Sequence, residues 1–218
     1  MKFSRFWIIA LAFCFVAKGL AADIDQSNPK AAAMSFAKAL EAGDAKTARQ
    51  LATGSDADKQ VIDAMISFNS AVKKLRESAV KKYTDKSDEV VSPGSTIDST
   101  KVLEDTEVKE EGDVAAIVPT KPQQRQSAMH MKRVDGKWNV NLNQTLQDAA
   151  APGQTIEQMH AMLESWGDIF KETADEIDQG KYPTPADANQ ALGVKMMATL
   201  KSFVPSTAPA TPTSEPSN

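Results

Sequence analysis

Only one cysteine, Cys14, occurs in the 218 residues, and its position decides what it can do. It lies in an apolar run over residues 6–17, preceded by Lys2 and Arg5 and followed by the small residues Gly19, Ala21 and Ala22. That order is the three-part pattern of a secretory leader, with cleavage expected after Ala21 or Ala22. The chain that remains then has no cysteine, which excludes a disulfide, a thiolate nucleophile and a cysteine-ligated metal. Cys14 follows Phe13 in the middle of the run instead of a small residue near its end, so a lipid-anchored form is not expected. The run is short for a membrane span, and no other segment approaches the roughly 20 apolar residues that spanning takes. Small extracellular domains of eukaryotes often rely on disulfides, whereas bacterial envelope proteins often do without them. The expected location is therefore a bacterial periplasm, outer envelope or exterior.

A basic excess is also missing. Losing Lys2, Arg5 and Lys18 with the leader takes three from the 25 basic residues and leaves 29 acidic ones, a net charge of −7 for a chain starting at Asp23. Proteins that track phosphates carry a basic patch, so nucleic acid is not an expected partner. The sequence also lacks a zinc-protease helix, a phosphate-binding glycine loop, a dinucleotide fingerprint and a serine-hydrolase elbow. No cofactor is expected.

What is present is a series of strongly patterned segments. Residues 126–142 hold two alternating runs joined by Asp135-Gly136, a preferred two-residue hairpin turn. This register sets Arg133 opposite Trp138, Met131 opposite Val140 and Met129 opposite Leu142, giving one apolar face. His130, Lys132, Asn139 and Asn141 fall on the other. Such a ribbon needs helices over its apolar side, and the segments around it supply them. Asn28-Pro29 reads as a helix start, with Gly43 ending that helix and Asp44 capping a short second one. A third helix runs from about Ser55–Asp58 to Tyr83, with Val61, Met65, Phe68, Val72, Leu75 and Ala79 along one side. Packing on a sheet is the expected use of that stripe, ahead of a coiled-coil seam.

A loop is marked by Ser92-Pro93-Gly94, and a charged hairpin follows over residues 100–118, with Val102 and Val108 on its first limb and Glu111-Gly112 near its turn. Charge on that limb suits a sheet edge. Thr155 and Gln158 resemble a capping box ahead of a helix striped with Ile156, Met159, Leu163, Trp166, Phe170, Thr173 and Ile177. Thr184-Pro185 opens another helix with Ala188, Leu192, Met196, Leu200 and Phe203 on one side. These two read as a helical hairpin that clamps onto its own domain or onto a second copy. The predicted organisation is a leader (1–22), an α+β domain (23–150), a helical hairpin (151–204) and a disordered Pro/Ser/Thr tail (205–218). The fold class is α+β, with N-terminal helices packed on a curved antiparallel sheet of about four strands, followed by the hairpin.

The order of elements, with "FAKALEAGDAKTARQL" in front and "GDVAAIV" and "VDGKWNVNL" in the strands, resembles the nuclear transport factor 2-like superfamily over residues 29–142. The resemblance implies a sheet curled around a long helix to form a cone. Enzymes of that superfamily, the polyketide cyclases and ketosteroid isomerases, keep ionisable residues inside the cone. Their acid and base match no residue here, so no catalytic residue carries over.

Candidate ligands and sites divide against their structural alternatives. Met129-His130-Met131 offers donors for a soft metal, but alternation in a strand sends His130 to the face opposite the two methionines. Met159, His160 and Met162 sit on one helical turn, where packing accounts for the methionines. Asp168, Glu172, Asp175, Glu176 and Asp178 form an acidic strip that reads as a solvated face and lacks the loop of a calcium site. The expected ligand-contacting residues are Tyr83, Met129, Met131, Arg133, Trp138 and Val140. The functional expectation is a secreted, non-catalytic module binding a small apolar ligand or an envelope protein, with a cyclase- or isomerase-type enzyme and a structural homo-oligomer as the alternatives.

Overall fold

The computed structural model describes residues 24–91, 103, 105–120 and 127–203. The expected leader (1–22), Ser92-Pro93-Gly94, Val102 and the expected tail (205–218) lie outside the described residues. The elements run α1 (Pro29–Ala42), α2 (Ala45–Gln50), β1 (Ala52–Thr53), α3 (Asp56–Tyr83), a 3-10 turn (Thr84–Glu89), β2 (Thr106–Glu111), β3 (Val114–Pro119), β4 (Met129–Val134), β5 (Lys137–Asn141), α4 (Leu142–Ala149), α5 (Ile156–Asp178) and α6 (Pro185–Phe203). The fold is α+β, with one five-stranded sheet among the described residues.

Local chemistry sets most of the boundaries. The Asn28 side chain accepts the Ala31 amide ahead of Pro29. Ser55 and Asp58 cap α3 reciprocally, as Thr155 and Gln158 cap α5. Each box satisfies amides that a helix start leaves without partners. Asp135 and Gly136 turn the β4–β5 hairpin at φ 50° and 75°, the left-handed geometry that matches the twist of the flanking strands.

The sheet order is β1-β5-β4-β3-β2. All neighbours are antiparallel except β1 and β5, where Ala52 pairs with Val140 and Thr53 with Asn141 in parallel. The expected sheet of about four antiparallel strands thus gains a short parallel fifth. Two residues between two helices carry no readable alternation, so β1 left no trace in the pattern. The β5 edge is closed at a second point by Gln26, whose carbonyl accepts the Trp138 amide at 3.0 Å while its side-chain amide donates to the Trp138 carbonyl at 2.9 Å. The opposite edge, β2, is exposed over Glu107–Glu111 and charged, which discourages pairing with another chain.

Arg133 pairs with Trp138 and Met131 with Val140, as the hairpin turn requires. Leu142 does not pair with Met129. The chain turns into α4 at that residue, and Met129 pairs with Ile117 on its other side. Where β5 has left the ladder, the His130 amide donates to the Thr145 hydroxyl of α4 at 3.0 Å. That bond replaces a strand partner that an otherwise idle amide needs.

Two apolar clusters are strung along α3. Its first half, with Val61 and Ile62, packs with α1, Leu51, Ala115, Ile117, Met131, Trp138, Val140, Leu142 and Leu146. Its second half, with Val72, Leu75, Ala79 and Tyr83, packs with Phe170, Ala174, Ile177, Ala188 and Leu192. The stripe expected to lie on a sheet therefore does so only as far as about Phe68; beyond that it is a helix-on-helix seam. Helix α3 at 28 residues is about 42 Å long by the 1.5 Å rise per residue, well beyond what strands of five or six residues span. α5 runs parallel to its outer half: Lys171 reaches Ser67, Lys74 reaches Asp175 and Ser78 reaches Asp178. α6 then returns along α5, so its stripe of Ala188 and Leu192 is covered by the same chain. Met159 near the start of α5 still belongs to the sheet cluster, so α5 begins on one core and ends on the other.

Candidate functional site

The six residues expected to contact a ligand do not form one site. Met131, Trp138 and Val140 are each 1% exposed and lie inside the sheet cluster. Met129 packs against the same cluster, partly buried. Tyr83 is in the other cluster, where its hydroxyl donates to the Tyr182 carbonyl at 2.9 Å. Burial, and then the charge of Asp187, raise its phenol above its ordinary pKa of 10. The face drawn as a ligand wall is thus the chain's own core, because α1, α3 and α4 already cover it. Arg133 is the exception. Its guanidinium lies over the Trp138 ring at 4.5 Å from the centroid and reaches Glu110 at 3.1 Å and Asp113 at 3.6 Å. It stacks on the indole and neutralises the charged hairpin at once, closing the end of the core that the helices do not reach.

The second polar centre joins α5 to α6. Glu176, assigned by sequence to a solvated acidic strip, is 8% exposed. One carboxylate oxygen accepts from the Tyr182 hydroxyl at 2.5 Å and from Lys195 at 2.6 Å; the other accepts from Lys181. Lys195 also meets Glu172 at 3.0 Å. Burial by itself would raise the Glu176 pKa, but the bonds from Lys181, Lys195 and Tyr182 outweigh it and hold it at about 2. A carboxylate held so firmly ionised is a poor proton donor or acceptor near neutrality, and its chemistry is that of a clasp. Sequence reasoning missed it because Glu176 sits at the border of the apolar stripe, one position before Ile177. The available signal was Lys181-Tyr182 just past Gly180, two donors that the turn folds back onto the last helical turn.

The remaining polar residues are paired locally. His130 contacts Asp148 on α4, and His160 Nδ1 lies 3.3 Å from Glu164 one turn on. Met162 accepts from the Gln154 amide at 3.8 Å, and Met159 is core. Among the described residues no group of three or more His, Cys, Asp or Glu side chains is placed to hold a metal ion. None of the described helices is long and apolar enough to cross a membrane.

The outer face of the sheet has a different character. Val114 pairs with Lys132, and Val134, its diagonal neighbour, pairs with Lys137. Val114 is 49% exposed and Val134 38%, and both lysines are exposed. On its other side Val114 pairs with the exposed Glu111 of β2, so this is a small apolar centre with lysines on its β4–β5 side and a carboxylate on its β2 side. At the β5 end the same face is partly covered, since Gln26 donates to Asn139 at 2.9 Å and Asn139 is buried. No family model, curated protein or solved structure matches the chain.

Proposed function

We propose that the chain is a non-catalytic binding module working outside the cytoplasm of a bacterium, and that it holds a protein partner on the outer face of its sheet. The leader pattern at residues 1–22 and the lack of cysteine after it support the location. One observation carries the mode of binding. Met131, Trp138 and Val140 are sealed at 1% exposure, so a small apolar ligand would have to displace the protein's own core. What stays open on the sheet is Val114 and Val134, with Lys132 and Lys137 on the β4–β5 side and Glu111 on the β2 side, which suits a partner segment with an apolar residue and an acidic neighbour placed toward the lysines.

A cyclase- or isomerase-type activity is supported less well. It needs an ionisable group tuned inside a water-poor pocket, and the buried carboxylates among the described residues are engaged in structure: Asp58 accepts the Ser55 amide in the α3 cap, and Glu176 serves the clasp.

The test is photocrosslinking in the intact envelope. A photoreactive residue at position 114 should give a discrete protein adduct that one at position 63, on α3, does not. The adduct should fade by tenfold or more in the Lys132→Glu/Lys137→Glu double variant, whose folding is checked by circular dichroism. Equal labelling from both positions, or an adduct indifferent to the charge reversal, would sink the proposal.

A further inference from the structure

The middle of α6 is built the wrong way round for a solvent-facing helix. From Ala191 to Leu200 its one ionisable residue is Lys195, and that side chain points inward to Glu172 and Glu176. The outward side follows heptad steps through Asp187, Gln190, Val194, Met197 and Lys201, all exposed, with Gly193 and Ala198 alongside. Val194 is 64% exposed and Met197 58%, the two most exposed large apolar side chains among the described residues. The opposite stripe, Ala188 and Leu192, is already buried against α3 and α5. A helix that is apolar on both sides is normally covered on both.

The charges on the open side name the cover. Asp187 lies seven residues before Val194 and Lys201 seven after, which is about 10 Å each way along the axis. A second copy laid antiparallel and centred on Val194 brings Asp187 against Lys201 twice, Gln190 against Ala198 twice, and Val194 against itself. A parallel copy would set Asp187 on Asp187 and Lys201 on Lys201, which repel. Lys201 has no ion pair among the described residues, and the Asp187 cap bonds both fall on Oδ2, leaving Oδ1 for a partner. A Cβ added at Gly193 would meet nothing within 4 Å, so at this point another backbone can come close. We infer that the outer face of α6 is a homodimer interface, two copies pairing antiparallel about Val194. This rests on α6 alone and is independent of the sheet face.

The full chain, purified as its host processes it, is tested by sedimentation equilibrium. The expected result is a dimer with a dissociation constant of about 10–100 µM, the range of a small interface, weakened at least tenfold by Met197→Glu. Single cysteines in a Cys14→Ser background then read the geometry: Val194→Cys should form an intermolecular disulfide readily, and Gln190→Cys, which faces Ala198, should not. A monomer at about 100 µM, a Met197→Glu variant that associates as well as the wild type, equal coupling at positions 190 and 194, or a monomer that pelts down only with anionic phospholipid vesicles would each overturn the inference.

Discussion

Replacing Glu176 by Gln removes the charge of the α5–α6 clasp while keeping an oxygen for the Tyr182 hydroxyl. The folded pKa of about 2 stands against an ordinary value of 4.5. At 1.36 kcal/mol per unit, that difference sets a ceiling of about 3 kcal/mol on what ionised Glu176 contributes. The side chains of Lys181 and Lys195 are 58% and 24% exposed, so water screens part of the attraction and about 2 kcal/mol is the working figure. The sign follows from the direction of the shift. A depressed carboxylate pKa contributes its full stability above the unfolded value, 4.5, and loses it as pH falls toward 2. Urea unfolding of the wild type and Glu176→Gln should therefore differ by about 2 kcal/mol at pH 7 and by about half that or less at pH 3. Fluorescence reports on both cores, since Trp138 is in the sheet cluster and Trp166 lies 6.4 Å from Phe68 beside the helical one. A gap that stays constant between pH 7 and pH 3 would refute the reasoning, because the lost interaction would then not be ionic.

Two further outcomes follow from packing. Thr173 is fully buried and its hydroxyl has no hydrogen-bond partner, so Thr173→Val should stabilise the protein by about 1 kcal/mol, read as a higher urea midpoint at unchanged slope. Gly54 has φ +155°, and a Cβ there would sit 2.9 Å from the Asp58 carboxylate and 3.2 Å from the Leu142 side chain. Gly54→Ala should cost about 2 kcal/mol or more, because it disturbs the α3 cap and the start of α4 together; a thermal midpoint within a degree or so of the wild type's would contradict that.

Much of the frame is legible in the residues. The Asp135-Gly136 turn fixed the register that sets Arg133 on Trp138, and the capping residues at Asn28, Ser55 and Thr155 marked where helices begin. These features are local: a turn or cap is decided by residues within about four positions of it. The β1 strand, the turn of Leu142 into α4 and the pairing of Gln26 with Trp138 were not legible, because each depends on a partner more than eighty residues away or on a ladder that ends early. The candidate ligand wall was legible as apolar, but whether it lines an open pocket was not, and the chain's own helices cover it. Alternation says which side of a strand is apolar, and it cannot say whether the cover is a ligand or the chain's own helices.

The acidic strip on α5 makes the same point with charge. Asp168, Glu172, Asp175, Glu176 and Asp178 are equivalent as letters, yet Glu176 alone among them is buried, because α6 folds back across that flank and brings Lys195, while the turn brings Lys181 and Tyr182. The sequence by itself determined the helices other than α4, the hairpins and the amphipathic sides, since these follow from short-range sterics, hydrogen bonding and hydrophobic period. Only the tertiary structure decided which apolar sides are spent within the chain and which remain, as on Val114 and Val134 of the sheet and Val194 and Met197 of α6. Burial is a property of pairs of surfaces, and the identity of the second surface is not written in the first.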